Sequence, residues 1–263
     1  MLIIGDTHGK INDFINLIKR YKIENEVLIQ VGDFGIGFTL NPSLYDFNYF
    51  LMESNNYLYV LRGNHDNPNF FINQEDSSYL HYSNIEFLKD YSVLNIQNKK
   101  ILLIGGGISL DRSERRKNVS WWENEEIILD KNKLNELSKE KFDILITHVP
   151  CPGTYNDNNK NILNYYLKNE EKDYKKLNEY LKNEKENQDK ILQIIIKYSE
   201  FEKTLKESLK IEKEKLIEIK NKINYEYWIS GHIHVSNRIS EKDKKYIVLN
   251  KLEFLSIDRE SND

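Results

Sequence analysis

Five apolar runs in this chain end in a short polar motif that carries Asp, Asn or His. In order these are GDTHG (Asp6, His8), GD (Asp33), GNHD (Asn64, His65, Asp66), TH (His148) and GHIH (His232, His234). Of the six histidines only His81 stands outside them. The runs MLIIG, EVLIQVGD (26–33), NYLYVLRGN (56–64) and FDILITH (142–148) have strand length and composition. Between the first three lie two helical patterns. Residues 11–21 place Ile11, Phe14, Ile15 and Ile18 on one face, and 43–54 form the second. Strand, helix, strand predicts parallel strands joined by right-handed crossovers. Ligands of such sheets collect at the carboxyl ends of the strands.

Each motif alone is ordinary. A strand-terminal Asp commonly caps a turn, a Thr-His pair is commonly structural, and His-x-His occurs by chance. The set differs, because one strand end after another delivers an oxygen or imidazole donor to the same rim. Without a cation, such a cluster leaves carboxylates repelling one another and buried polar groups unpaired. Mixed Asp, His and Asn donors suit manganese, iron, zinc and similar divalent ions.

The middle of the chain changes style. IEFLKD, YSVLNIQ and KKILLIGG (85–106) read as short strands of an antiparallel or mixed edge. A loop with Arg112, Arg115, Arg116 and the pair Trp121–Trp122 follows, then a helix around 124–138. The C-terminal runs YEYWISGHIH, VSNRIS, KYIVLN and EFLSI read as strands. Between Gly153 and Gly231 lie 77 residues without Gly or Pro. Leu163, Leu167, Tyr174, Leu177 and Leu181 keep 3/4 spacing, as do Ile191, Ile195, Tyr198, Leu205, Leu209, Leu216, Ile219 and Ile223. Glu202 and Glu212 fill the two seam positions between these. This predicts a long helical hairpin turning near Asn183–Asp189, inserted as residues 154–225 between the two parts of a domain, 1–153 and 226–263. A low-complexity insert is the alternative.

Composition narrows the function classes. One cysteine, Cys151, excludes an intrachain disulfide and a Cys-rich zinc module. The net charge of −4 is uneven: residues 155–225 carry 16 Lys against 14 acids, and the remainder is acidic. Neither part is a basic nucleic-acid surface. The N-terminal apolar stretch is too short for a signal peptide or anchor. No later segment approaches the roughly 18 apolar residues of a membrane span. The expectation is a cytoplasmic protein with no membrane partner.

Taken together, Asp6-x-His8, Gly32-Asp33, Gly63-Asn64-His65-Asp66, His148 and Gly231-His232-x-His234 resemble the ordered signature of the calcineurin-like metallophosphoesterases. The resemblance spans nearly the whole chain apart from the insertion. It implies an α/β fold, a two-sheet αββα sandwich. It also implies two divalent metal ions, with manganese expected first and iron, zinc, nickel or cobalt as alternatives. Asp6, His8 and His234 would hold one ion, Asn64, His148 and His232 the other, and Asp33 would bridge them.

Two ions roughly 3.5–4 Å apart polarise phosphoryl oxygens and lower the pKa of a bridging water, whose hydroxide attacks phosphorus. His65, whose side chain diverges from that of Asn64, is then the general acid for the leaving oxygen. Asp66 is expected to orient that imidazole, with a turn cap as the alternative.

The reaction is legible; the substrate is less so. Ser/Thr protein phosphatases of the superfamily usually show GDxVDRG and GNHE, whereas this chain has GDFGIG at 32–37 and GNHD at 63–66. The phosphate-clamping Arg of that first motif is absent. The segment 104–126 resembles one in bacterial and phage members, and faintly the IGG-S segment of RNA lariat debranching enzymes. Those enzymes often carry Cys where this chain keeps His8. Arg112, Arg115 or Arg116 is the candidate for a non-bridging phosphate oxygen, Arg112 and Arg115 foremost, against a salt-bridge cluster with Asp111 and Glu114. Trp121 and Trp122 either stack on a base or pack in the core.

The expected substrate is a phosphate ester of a nucleotide or nucleic acid. The alternatives are a phosphomonoesterase acting on phosphoproteins, and an inactive scaffold whose hairpin binds a partner protein. The hairpin itself is read as a lid, a homodimer arm or a docking mast.

Overall fold

The computed structural model describes residues 1–37, 44–72, 82–112, 115–154, 204–205 and 207–257. The chain divides into two compact units, Met1–Thr154 with Glu212–Asp263, and Tyr155–Ile211. In the second unit only 204–205 and 207–211 are described, and they are helical. The hairpin turn near Asn183–Asp189 and its first arm lie outside the described residues.

The first unit holds two sheets. One contains β1 (Leu2–Ile4), β2 (Val27–Gln30), β3 (Tyr57–Val60) and β4 (Ile85–Phe87), all parallel, with β11 (Phe254–Leu255) antiparallel on the β1 edge. The other runs β5 (Ser92–Ile96), β6 (Lys99–Ile104), β7 (Lys141–Thr147), β8 (Asn224–Ser230), β10 (Lys244–Val248) and β9 (Asn237–Glu241). Its four central strands are parallel and its two edge strands antiparallel.

Side-chain alternation along the strands builds three apolar layers. Ile3 and Ile29 of the first sheet meet Ile101, Leu103, Ile144, Ile146, Tyr227 and Ile229 of the second in the central core. On the outer face of the first sheet, Leu28, Leu58 and Val60 pack against helices α1 (Ile11–Tyr21) and α2 (Leu44–Glu53) through Phe14, Ile18, Phe47 and Leu51. On the outer face of the second, Leu102, Ile104, Leu145 and Trp228 pack against Leu134 of α4 (Lys131–Leu137) and Leu216 and Ile219 of α5 (207–222). A short helix α3 (Asn69–Ile72) follows β3. The result is a sandwich of two mixed sheets flanked by helices, α, β, β, α.

Helix α1 shows why the local pattern folds as it does. Ile11, Phe14 and Ile18 are buried, Asp13 lies in the first turn, and Lys19 and Arg20 lie in the last. The Lys22 amide closes the end onto Ile18 and Lys19 carbonyls in a left-handed C-cap.

Three readings change. The strands at 85–106 do not form one edge: β4 extends the first sheet in parallel, and β5 opens the second. Helix α4 starts at Lys131 rather than near 124, because the Arg62 guanidinium takes the carbonyls of Asn124, Glu125 and Glu126 at 3.1, 2.7 and 3.2 Å. Asp130 then caps α4 by accepting from the Asn132 and Lys133 amides. Finally, Leu216, Ile219 and Ile223 continue the 3/4 stripe, yet they pack in the core of the first unit. The spacing shows a buried helix face but not its partner. Among the described residues no helix is long and apolar enough to cross a membrane.

Candidate functional site

The carboxyl ends of β1, β2, β3, β7 and β8 converge on one rim. Asp6 and His8 follow β1, Asp33 follows β2, Asn64 follows β3, His148 follows β7, and His232 and His234 follow β8. Two groups of side chains form there.

In the first group, His234 Nε2 lies 3.1 Å from Asp6 Oδ2 and 2.7 Å from His8 Nε2. His8 Nε2 lies 3.7 Å from Asp6 Oδ2 and 3.6 Å from Asp33 Oδ2. In the second, His148 Nε2 lies 3.1 Å from Asp33 Oδ1, 3.0 Å from Asn64 Oδ1 and 3.2 Å from His232 Nδ1. Asp33 therefore turns one oxygen to each group.

The backbone is bent to make this possible. His8, Asp33, His232 and His234 all adopt left-handed φ values, 49°, 58°, 69° and 53°, a conformation costly for residues with a Cβ and concentrated at functional sites. Gly32, at φ 107°, lies so close to the His148 ring that any Cβ would overlap it, and a Cβ at Gly231 would run into the Asp6 carboxylate.

The donor set fits divalent cations. At most one proton can lie between the His8 and His234 ring nitrogens, 2.7 Å apart, and burial opposes charging His8 and His232. It pushes the His8 imidazole down to about 4 and His232 down to about 3. Neutral imidazoles beside carboxylate oxygens are what such ions take. His148 runs the other way. Burial lowers it, but Asp33, Asp6 and the Val31 carbonyl outweigh that and raise it to about 9. Its Nδ1 lies 3.1 Å from the Val31 carbonyl, so Nδ1 carries the proton and Nε2 faces the group. A cation there replaces the proton that Asp33 otherwise attracts.

His65 stands beside the cluster. Its amide donates to Asp33 Oδ1 at 2.7 Å, and its ring meets the His8 ring edge-on at 4.7 Å. Burial lowers its pKa. Asp66, expected to orient His65, lies elsewhere. Its carboxylate accepts the amides of Gly35 (2.6 Å), Ile36 (3.1 Å), Gly63 (2.8 Å) and Phe34 (3.2 Å). It ties the loop after β2 to the loop after β3. The reason is the one that separates Asn64 from His65: neighbouring side chains diverge.

Arg115 is the side chain against His65, with Nη2 2.6 Å from Nε2. It also pairs with Asp111 at 2.5 Å. Arg112 lies on the same loop, its amide donating to the Ser109 carbonyl. Trp122 is buried and Trp121 half-buried, its indole N–H without a hydrogen-bond partner among the described residues. Arg62, fully buried, spends its guanidinium on Asp90 and on backbone carbonyls.

Sequence reasoning passed over Ser109 and Glu125, both buried beside Asn64 and Arg115. Nothing in WWENEE separates Glu125 from Glu123 or Glu126; only the GGGIS run beside a strand end pointed near Ser109.

A family model, calcineurin-like phosphoesterase, matches residues 1–236. No curated protein matches the sequence. Among solved structures, one crystal structure is 12% identical with a TM-score of 0.51, covering 98% of this chain and 95% of its own. The sulfate thiohydrolase SoxB of Thermus thermophilus, in complex with glycerol, is 10% identical with a TM-score of 0.40 over 94% of this chain and 38% of its own. GAP50, the anchor in the inner membrane complex of Plasmodium, is 12% identical with a TM-score of 0.37 over 95% and 71%.

Proposed function

The chain belongs to the calcineurin-like phosphoesterase family, and from that premise we propose that it is a two-metal phosphoesterase acting on a phosphate ester of a nucleotide or nucleic acid. Phosphoester hydrolysis comes with the family; the substrate class and the residue roles are our reading. The single observation that carries it is the sharing of Asp33 between two complete donor groups.

Asp6, His8 and His234 would hold one cation, Asn64, His148 and His232 the other, and Asp33 would serve both. Manganese fits the donors, as do iron, zinc, nickel and cobalt. Bound there, the pair supplies Lewis-acid activation of the phosphoryl group and of water.

The protein does the rest. Arg115 now donates to His65 Nε2, so that nitrogen is an acceptor before substrate arrives. A non-bridging phosphate oxygen draws the guanidinium fork to itself. That frees His65 Nε2 to take up a proton from water and pass it to the leaving oxygen. Asp66 acts through the backbone, holding the two loops that carry Asp33 and Asn64. The absence of the GDxVDRG clamp and the resemblance of segment 104–126 favour a nucleotide or nucleic-acid ester over a phosphoprotein. We place the protein in the cytoplasm, and we read the insertion as ending at Ile211, since Glu212–Asp263 belong to the first unit.

The test is turnover of bis-p-nitrophenyl phosphate and p-nitrophenyl phosphate by purified protein with Mn²⁺. Hydrolysis of the diester supports the reading. No turnover of either with Mn, Ni, Co or Fe, from protein that has bound metal, sinks it in favour of a scaffold.

A further inference from the structure

We propose that Ser109 and Glu125 are positioning residues: they decide which end of the Asn64 amide faces the second metal position and where the Arg115 guanidinium stands. The proposal rests on the two-metal reading above.

The Glu125 carboxylate is buried, 1% exposed. Its Oε1 accepts the Ser109 amide at 2.7 Å, and its Oε2 accepts the Ser109 hydroxyl at 2.6 Å. A hydroxyl has one proton and two lone pairs. With the proton committed to Glu125, both lone pairs are left to accept. Asn64 Nδ2 takes one at 3.2 Å, and Arg115 Nη1 takes the other at 2.8 Å.

The two ends of an Asn side chain are nearly identical in shape, so packing alone does not orient it. The Ser109 acceptor does. It holds the NH₂ end, which leaves Oδ1 facing His148 Nε2 and the second group. The other end of the Arg115 fork is thereby set against His65. Glu125 itself cannot drift. Its carbonyl accepts from Arg62 Nη1 at 2.7 Å and from the Gly107 amide at 2.9 Å.

Glu125→Gln keeps the shape and reverses the polarity. Its oxygen stays on the Ser109 amide, and its NH₂ end meets the hydroxyl as a donor. The hydroxyl proton then turns toward Asn64, which favours the flipped amide with NH₂ facing the cation.

Metal-stripped wild type, Glu125→Gln, Ser109→Ala and Ser109→Thr are titrated with Mn²⁺ by calorimetry, alongside elemental analysis and thermal melts. Wild type takes up two ions. Glu125→Gln and Ser109→Ala keep the fold and the first ion, and their affinity for the second falls about 10- to 100-fold. Ser109→Thr, which keeps the hydroxyl, retains the second ion. In an Asn64→Ala background, Ser109→Ala causes no further loss of metal. At saturating Mn²⁺, Ser109→Ala raises KM through Arg115.

Second-ion affinity equal to wild type in Glu125→Gln and Ser109→Ala overturns the proposal while leaving the two-metal reading intact. If Glu125→Gln does not fold, the Ser109 pair decides: a weakened Ala beside a retained Thr supports it, and equal behaviour of the two overturns it. Wild type that binds no metal ends both readings.

Discussion

The two metal positions are supported to different depths. In the second, two of the side chains are held from behind. His148, with no exposed side-chain surface, is fixed through Nδ1 by the Val31 carbonyl, and Asn64 is fixed through Nδ2 by Ser109. In the first, His234 is 36% exposed and His8 14%, and their rings meet each other, His65 and the Asp6 and Asp33 carboxylates. Asp6 has backing from the His232 amide at 3.1 and 3.0 Å, and the shared Asp33 from the His65 amide at 2.7 Å. On the two-metal reading the second position is thus the better pre-organised, and the first would order its imidazoles on binding an ion. The cost of ordering falls on binding at one position and on folding at the other.

The largest test removes what the halves share. Asp33→Ala should empty both positions and bring hydrolysis to background, read by elemental analysis and turnover; retention of either ion would break the picture of a common bridge. Next, His65→Ala should lower turnover about 10²- to 10⁴-fold with both ions retained, since its ring is beside the groups and not within them. A chelator titration sharpens the comparison directly. The exposed His8–His234 position should empty first, leaving a one-ion protein, and His234→Ala should give that species without chelator. Release of the buried ion first would reverse the argument.

The smallest effect concerns stability. Glu212 on α5 is buried and is raised from 4.5 to about 8, mainly by burial. Its Oε1 has no partner among the described residues. Because the folded value exceeds the unfolded one, its contribution is fully present below about pH 4.5 and is lost as pH rises through about 8. Glu212→Gln should flatten the fall of melting temperature across that window. The slope removed is at most about 1.4 kcal/mol per pH unit. An unchanged slope would place the pH sensitivity elsewhere.

Much of the fold was legible because it is written in local periods. The 3/4 stripe of Ile11, Phe14 and Ile18 and the alternation of Ile29 with Leu28 each need only neighbours in sequence. The seven polar side chains were legible for a related reason: parallel strands bring their carboxyl ends to one rim, so a residue at a strand end carries its destination with it. Asp66 was misread because its role depends on which loop lies opposite, and four amides from two loops claim it. The choice between Arg112 and Arg115, and the loop that delays α4 to Lys131, depend in the same way on partners tens of residues distant.

From the chain alone, then, came most of the strands, the rim and the chemical identity of what lines it, since alternation and strand-end placement are properties of short stretches. Tertiary structure alone decided which hydroxyl orients Asn64, which guanidinium meets His65 and which helix face the stripe at 216–223 covers. A hydrogen bond between loops is chosen by distance and direction in space, and no short stretch of sequence carries either.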